Sequence, residues 1–324
     1  MGSSKARADL MVTFANNCYC ITKEVCSVKK IERVFATIRF DRVDRIPKGE
    51  FHLEDGFVAN LLGLKDKVEF KDRVEACELC GLDVLAFSPS STSSTQQDKG
   101  QIWESLKLWK KETDFFAFAL IDGPFQGTAK LFSSFTDYLL AIAKRDPIIP
   151  KLVAEAVATN VELGLNALES GADGIIVADD IAYNGGTFIS PTALRKNFFP
   201  NLTEQVDVLQ RQNAPVFFHA DGDLVAVLDD IINSGVDGLH SLDLPSLIEI
   251  ANVRRATENK VCLMGGYDLG WFEEKNRTER ASELITVSAK GGGYIFGSSA
   301  GILGSGQSAQ QVMDVYQFVS NFPA

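Results

Sequence analysis

One short phrase recurs three times and constrains the fold more than anything else in the chain. It reads Gly81-Leu82-Asp83-Val84-Leu85, Gly171-Ala172-Asp173-Gly174-Ile175 and Gly235-Val236-Asp237-Gly238-Leu239. Each copy follows a helical pattern and opens an apolar run. Glycine there suits the left-handed residue that ends a helix. The aspartate tightens the turn, and the apolar run becomes a buried strand. A helix-to-strand joint repeated this way belongs to a chain in which strands and helices alternate. Such folds place their chemistry at the carboxyl ends of the strands.

Eight strand-like runs can be counted: 47–51, 83–87, 115–121, 174–178, 216–219, 238–242, 261–264 and 294–296. Helical patterns separate most of them, among them 71–82, 150–170, 191–212, 224–234, 245–257, 277–290 and 308–322. Ser190-Pro191 is a start signal, an N-cap followed by proline at the first helical position. The pattern predicts an α/β chain folded as a (β/α)8 barrel of the TIM type, a single domain over 28–324. An open doubly wound sheet is the alternative, but no strand is followed by the glycine-rich dinucleotide fingerprint. The stretch 88–111, with Ser-Ser-Thr-Ser-Ser-Thr at 90–95, reads as a long irregular connection.

Residues 1–27 read as an N-terminal extension, either a disordered leader or the product of an early start, with a degraded signal peptide as the alternative. No apolar run reaches the ~18 residues a membrane span needs. The net charge of −11, with no basic cluster, argues against nucleic acid and anionic membranes as partners. Of six cysteines, Cys18, Cys20 and Cys26 fall in the leader. Cys77 and Cys80 form a lone C-x-x-C inside a helical stretch, where zinc would need a second pair, so they read as helix cysteines near the core. A reducing, cytoplasmic compartment fits this usage.

The strand ends carry a crowd of acids. Glu50 and His52 end the first strand, Asp122 the third, and Asp179-Asp180 the fourth, followed by Tyr183. His219-Ala220-Asp221 ends the fifth, His240 and Asp243 the sixth, Gly265-Gly266-Tyr267-Asp268 the seventh, and Ser298-Ser299 the eighth. Clustered carboxylates cost energy unless they share protons, meet a cation or bind metal, so the rim reads as a functional mouth. Asp223 and Asp243 have the plainer reading of capping the next helix. His219 and Asp221 stand two apart on extended chain and so share a face. That pair suits a divalent metal or acid–base work. All three histidines of the chain fall at this rim. The Gly297-Ser298-Ser299-Ala300-Gly301 turn suits an anion such as phosphate, although tight turns need glycine anyway.

From about Ile31 to Phe322 the chain resembles the uroporphyrinogen decarboxylase superfamily. The resemblance rests on Arg42-Val43-Asp44-Arg45-Ile46-Pro47, Asp122-Gly123-Pro124-Phe125, Asp179-Asp180 with Ile189-Ser190-Pro191, Phe218-His219-Ala220-Asp221-Gly222, and Gly265-Gly266-Tyr267-Asp268. It implies the same barrel, and one of two activities: porphyrinogen decarboxylation, or methyl transfer to or from a corrinoid protein. The decarboxylase string R-Q-A-G-R-Y is absent, Phe87-Ser88 is followed by Pro89 rather than aspartate, and no histidine follows the last strand. In the thiol-methylating branch zinc sits on His-x-Cys and a later Cys. Here His219 matches, Asp221 replaces the first cysteine, and Ser298 or Ser299 stands near the second.

The first expectation is therefore a corrinoid-linked methyltransferase that demethylates a small donor, an ether or an amine. His219, Asp221, Asp179, Asp180 and Glu50 would form the catalytic centre, with zinc or another divalent metal on His219 and Asp221. His52, Tyr183, His240, Asp122, Ser298 and Ser299 would line the substrate. A separate corrinoid protein would be the partner, and a homodimer is expected by analogy. The second expectation is a cofactor-free decarboxylase of a porphyrinogen, with Arg42 and Arg45 binding carboxylates. The third is a non-catalytic barrel that holds a corrinoid or tetrapyrrole.

Overall fold

The structure is a computed structural model that describes residues 28–90, 102–244, 246–258 and 260–323. The leader with its three cysteines, most of the Ser/Thr stretch at 90–95 and Pro245 lie outside the described residues. In chain order the strands are β1 (His52–Leu53), β2 (Val84–Phe87), β3 (Phe116–Asp122), β4 (Gly174–Ala178), β5 (Ala182–Tyr183), β6 (Gly186–Thr187), β7 (Val216–His219), β8 (Gly238–His240), β9 (Cys262–Met264), β10 (Tyr294–Ile295) and β11 (Ile302–Leu303).

Seven strands pair in the order β2, β3, β4, β7, β8, β9, β10, all parallel. The segment just before β1 closes the ring. Lys48 bridges Phe296 on one side, and Gly49 bridges Val84 on the other. The expected eight-stranded barrel is thus formed, with its first strand held by bridges rather than by a long ladder. Short β1 pairs β11 above this seam, and β5 and β6 make a hairpin at the rim.

The joint that recurs in the sequence does more than turn the chain. Gly81, Gly171 and Gly235 take positive φ of 64°, 104° and 88°. The aspartate two residues on then reaches across to the neighbouring strand. Asp83 gives its N–H to the Lys48 carbonyl at 2.7 Å and accepts the Lys48 N–H on Oδ2 at 2.9 Å. Asp173 does the same with Ala117, at 2.8 Å both ways, and Asp237 with Val216, again at 2.8 Å both ways. Each carboxylate adds one rung to the pairing and so fixes its register.

The barrel interior is packed, not hollow. Phe51, Val84, Ala86, Phe116, Phe118, Ile176, Phe217, Cys262, Met264 and Ile295 fill it. Glycine makes room for the large rings: a Cβ at Gly238 would sit 2.3 Å from the Phe217 ring, and one at Gly174 2.7 Å from Phe118. The helix Lys30–Ile38 stoppers the amino-terminal end. Its Val34 joins the inner cluster, and its Phe35 meets Phe116 edge-on at 5.1 Å. A buried ion network seals the same end, with Asp83 bound by both Arg33 and Arg45 at 2.7 Å. Only the other end is left open for chemistry.

Several boundaries differ from the sequence reading. The helix expected over 191–212 is two helices, Pro191–Asn197 and Phe199–Gln210, broken at Phe198. Pro200 has no N–H to continue the first helix, so it serves in the first turn of the second. The stretch 88–111 is not irregular throughout, because Glu104–Glu112 is helical. Ser246, not Asp243, caps the helix Leu247–Ala256, whereas Asp223 accepts the Val225 N–H at 2.9 Å as a local cap. Cys77 and Cys80 are buried in the helix Phe70–Cys80, and burial pushes both thiols up, Cys80 to about 12. Among the described residues no helix is long and apolar enough to cross a membrane.

Asp237→Ala should cost about 1–3 kcal/mol in urea unfolding, the expense of a strand N–H left without its acceptor. Asp83→Ala should cost more, about 3–5 kcal/mol, because it also takes the shared carboxylate from Arg45 and from buried Arg33, which is left with Asp44 alone as its acid partner. Equal losses for the two would contradict this account of the joints.

Candidate functional site

Strand parity decides which rim residues look into the mouth. Phe217, His219 and Asp221 alternate inward along β7 and its extension, and His240 is registered beside His219 on β8. On β4 the inward series is Ile176, Ala178, Asp180. One donor atom from each of Asp180, His219 and Asp221 therefore falls within 4.8 Å of the others. Asp180 is held from two sides, by the Asp221 N–H at 3.2 Å and by Gln126 Nε2 at 3.2 Å. Among the described residues neither carboxylate is paired with Lys or Arg. Asp243 adds to the negative field. Burial raises its carboxyl first, and the charges of Asp221 and Asp268 raise it further.

His219 and His240 face each other with their Nδ1 atoms 2.9 Å apart. The ring of Phe51 packs on both, 5.5 Å from His219 and 4.4 Å from His240. Burial lowers both imidazoles below the usual histidine value. Asp221 and Asp180 pull His219 back up, while the neighbouring His219 lowers His240 further. Burial thus favours the neutral ring in both, the state in which histidine ligates metal or accepts a proton. The other side of Phe51 lines a cavity of about 530 Å³ with His52, Phe87, Ser88, Arg73 and Trp109.

Two residues expected at the centre turn away from it. Glu50 faces outward, fully buried against the helix Ala309–Ser320. It accepts the Ser298 N–H and the Ser298 hydroxyl, each at 2.6 Å, and a short bond from the Tyr316 hydroxyl. Burial raises its pKa against the pull of those donors. Ser298 is thereby aimed away from the mouth as well, and Ser299 is tied through its N–H to the Tyr267 carbonyl at 2.9 Å. Asp179 also faces outward, as parity requires once Asp180 faces in. It accepts the N–H groups of Gln126 at 2.7 Å and Phe125 at 3.2 Å, capping the helix Pro124–Ala129. A Cβ at Gly123 would lie 2.4 Å from Asp179, so this turn needs glycine.

The remaining predicted residues are spread along the rim or lie elsewhere. Tyr183, on the β5–β6 hairpin, is 53% exposed and stacks on Phe188 at 5.4 Å. The turn after Asp221 leans on it. Gly222 has φ +87°, and a Cβ there would strike the Tyr183 backbone at 2.6 Å. Asp122 pairs with Lys130 at the rim. Arg42 and Arg45 are a correction to the expected substrate clamp: they precede the first strand and so lie at the stoppered end, Arg45 locked on Asp83. The sequence reading missed Gln126 and Phe51. Gln126 directly follows the Asp122-Gly123-Pro124-Phe125 motif, which was the available signal.

The uroporphyrinogen decarboxylase (URO-D) family profile matches residues 86–320. No curated protein matches the chain. In fold, the chain is similar to a methyltransferase from Methanosarcina mazei, with TM-score 0.72 at 14% identity over 90% of this chain and 98% of that one. It is also similar to a B12-independent methionine synthase from Shewanella sp. W3-18-1, with TM-score 0.51 at 12% identity over 76% and 83%.

Burial raises the Asp179 carboxyl to about 7, with Asp122 and Asp180 adding to the rise and the two backbone donors opposing it. Its folded pKa lies above the unfolded value of about 3.9. Its contribution to stability is therefore full below about pH 4 and is lost as pH climbs to about 7. Relative to wild type, Asp179→Asn should gain stability steadily across that window and level off above it. Urea unfolding at several pH values checks this, and a pH-independent difference would mean Asp179 is ionised throughout.

Proposed function

The chain belongs to the uroporphyrinogen decarboxylase family, and from that premise we propose that it is a methyltransferase that demethylates a small ether or amine. The observation that carries this reading is the meeting of Asp180, His219 and Asp221 at the barrel mouth. The donor set is one imidazole nitrogen and two carboxylates that, among the described residues, no lysine or arginine neutralises, which fits a divalent cation such as zinc. It is harder than a thiolate set and unsuited to activating a thiol. Asp180, His219 and Asp221 would hold the cation, and a cation bound there supplies Lewis-acid activation of the leaving heteroatom.

The chain's own residues supply the rest. Gln126 and the Asp221 N–H hold Asp180 in place. The departing alkoxide or amide would take its proton from solvent, which reaches the site at the rim where Asp221 is exposed. Phe51 packs on the imidazole faces, and the cavity beside it offers apolar walls with His52, Ser88 and Arg73 as polar contacts. The methyl acceptor is assigned to a corrinoid carried by a separate protein. The mouth has open flanks where such a partner can approach, with Tyr183 and Val225 exposed at the rim. A polycarboxylate substrate is disfavoured by the position of Arg42 and Arg45 at the far end.

Zinc titration and a cobalamin methylation assay test this together. Wild type should bind one divalent cation, and His219→Ala should lose at least about 10-fold in affinity. With methyl ethers or methylamines as donors, wild type should convert reduced cobalamin to its methylated spectrum. His219→Ala and Asp180→Asn should slow this by roughly 100-fold or more. An unchanged rate in both variants, or release of carbon dioxide from a porphyrinogen by wild type, would overturn the assignment.

A further inference from the structure

Phe51 divides the mouth into two halves. Its ring packs on His219 and His240, and it also walls the cavity of about 530 Å³. Strand parity puts both halves in one opening. Ala86 and Leu120 belong to the inward series of β2 and β3, and both line the cavity. β3 pairs with β4, whose inward series ends at Asp180. The cavity is thus the β1–β2–β3 half of the mouth, while Asp180, His219 and Asp221 make up the β4–β7 half.

The size and walls of the cavity describe what can fill it. A donor of three or four heavy atoms takes on the order of 100 Å³, at about 30 Å³ for each water-sized group. The cavity is several times larger and falls within the ~300–1,000 Å³ of ordinary ligand pockets. Flat rings form much of its wall. Buried Trp109 is held by Phe70 at 5.2 Å and Phe115 at 5.8 Å, and Phe87 stands 6.0 Å from it. With Phe51 opposite the imidazoles, these faces favour a planar aromatic guest.

The polar groups lie at the lip, where His52 and Ser88 are exposed and Arg73 is half-buried. Among the described residues that line the cavity, Arg73 is the one lysine or arginine and none is acidic. A guanidinium carries five N–H groups. Arg73 gives one from Nη1 to Asp55, and among the described residues the rest of its fork has no acceptor. The Asp55 pair is open to solvent and so holds Arg73 only weakly. A carboxylate can therefore take two parallel N–H bonds from the remaining fork.

We propose that this half of the mouth binds the body of the methyl donor, a planar aromatic acid whose ring packs on Phe51, Phe87 and Trp109 and whose carboxylate meets Arg73. The methylated oxygen or nitrogen then reaches past Phe51 to Asp180, His219 and Asp221. Calling the guest a methyl donor rests on the methyltransferase reading above; the preference for an aromatic acid does not. On transfer the methyl–heteroatom bond breaks with its electron pair left on the heteroatom, and the methyl bonds to the electron pair of a reduced corrinoid's cobalt. Arg73 sets specificity, remote from the atoms that react.

The test is calorimetric titration of the purified full chain, with chelator present, using meta- and para-methoxybenzoate and uncharged methoxybenzene. Wild type should bind at least one of the acids about 10-fold or more tighter than methoxybenzene. Arg73→Met should weaken that acid by about 10–100-fold and leave methoxybenzene unchanged. Asp55→Asn, which frees the whole fork, should tighten the acid severalfold. Equal affinity of wild type for acid and neutral ether overturns the proposal, as does an acid affinity that Arg73→Met leaves unchanged. Should Arg73→Met fail to fold, wild type against Asp55→Asn decides. Acid-selective binding with no methyl transfer to cobalamin from any donor would uphold the aromatic-acid subsite while overturning the methyltransferase reading. Transfer from methanol or trimethylamine with no acid-selective binding would do the reverse.

Discussion

The barrel depends on a carboxylate that behaves like backbone. At three joints an aspartate gives its own N–H to a neighbouring strand and takes that strand's N–H in return. The pairs so clamped are the first strand with β2, β3 with β4, and β7 with β8. A parallel barrel needs this, because its strands are short and its pairing is weaker per residue than antiparallel pairing. A one-residue slip would exchange every inward side chain for an outward one. The last pair, β9 and β10, lacks the device. It is approached instead through Gly291, Gly292 and Gly293, all at positive φ.

Fixed register is what gives the mouth its composition. With β4 and β7 held, Asp180 and His219 face in while Asp179 faces out, and neither acid is redundant. The outward one caps the helix that delivers Gln126, and Gln126 holds the inward one. The same division appears at the first strand, where Phe51 covers the imidazoles and Glu50 anchors Ser298 behind them. The stoppered end, with Arg33, Arg45 and Asp83, supplies stability. The open end gathers Asp180 and Asp221, which no lysine or arginine among the described residues neutralises, a cost that stability alone does not explain.

Much of this was legible in the sequence. The repeated joint announced alternation, and all eight barrel strands lie where apolar runs fall between helical patterns. The pair His219 and Asp221 was legible because two residues apart on a strand means one face. Asp179 against Asp180 was not, because barrel strands are apolar on both faces and the usual polar–apolar alternation is silent. Glu50 was misplaced for the same reason. Arg42 and Arg45 were misjudged on a different ground: they precede their strand, and so belong to the opposite end from residues that follow one. His240 facing His219 needed the cross-strand register, which no single stretch of sequence contains.

The side chains that fill the barrel interior, with the helix Lys30–Ile38 beneath them, block passage along the barrel axis. Whatever reaches the mouth must come and go at the same rim, so an arriving molecule and a departing one compete for one approach.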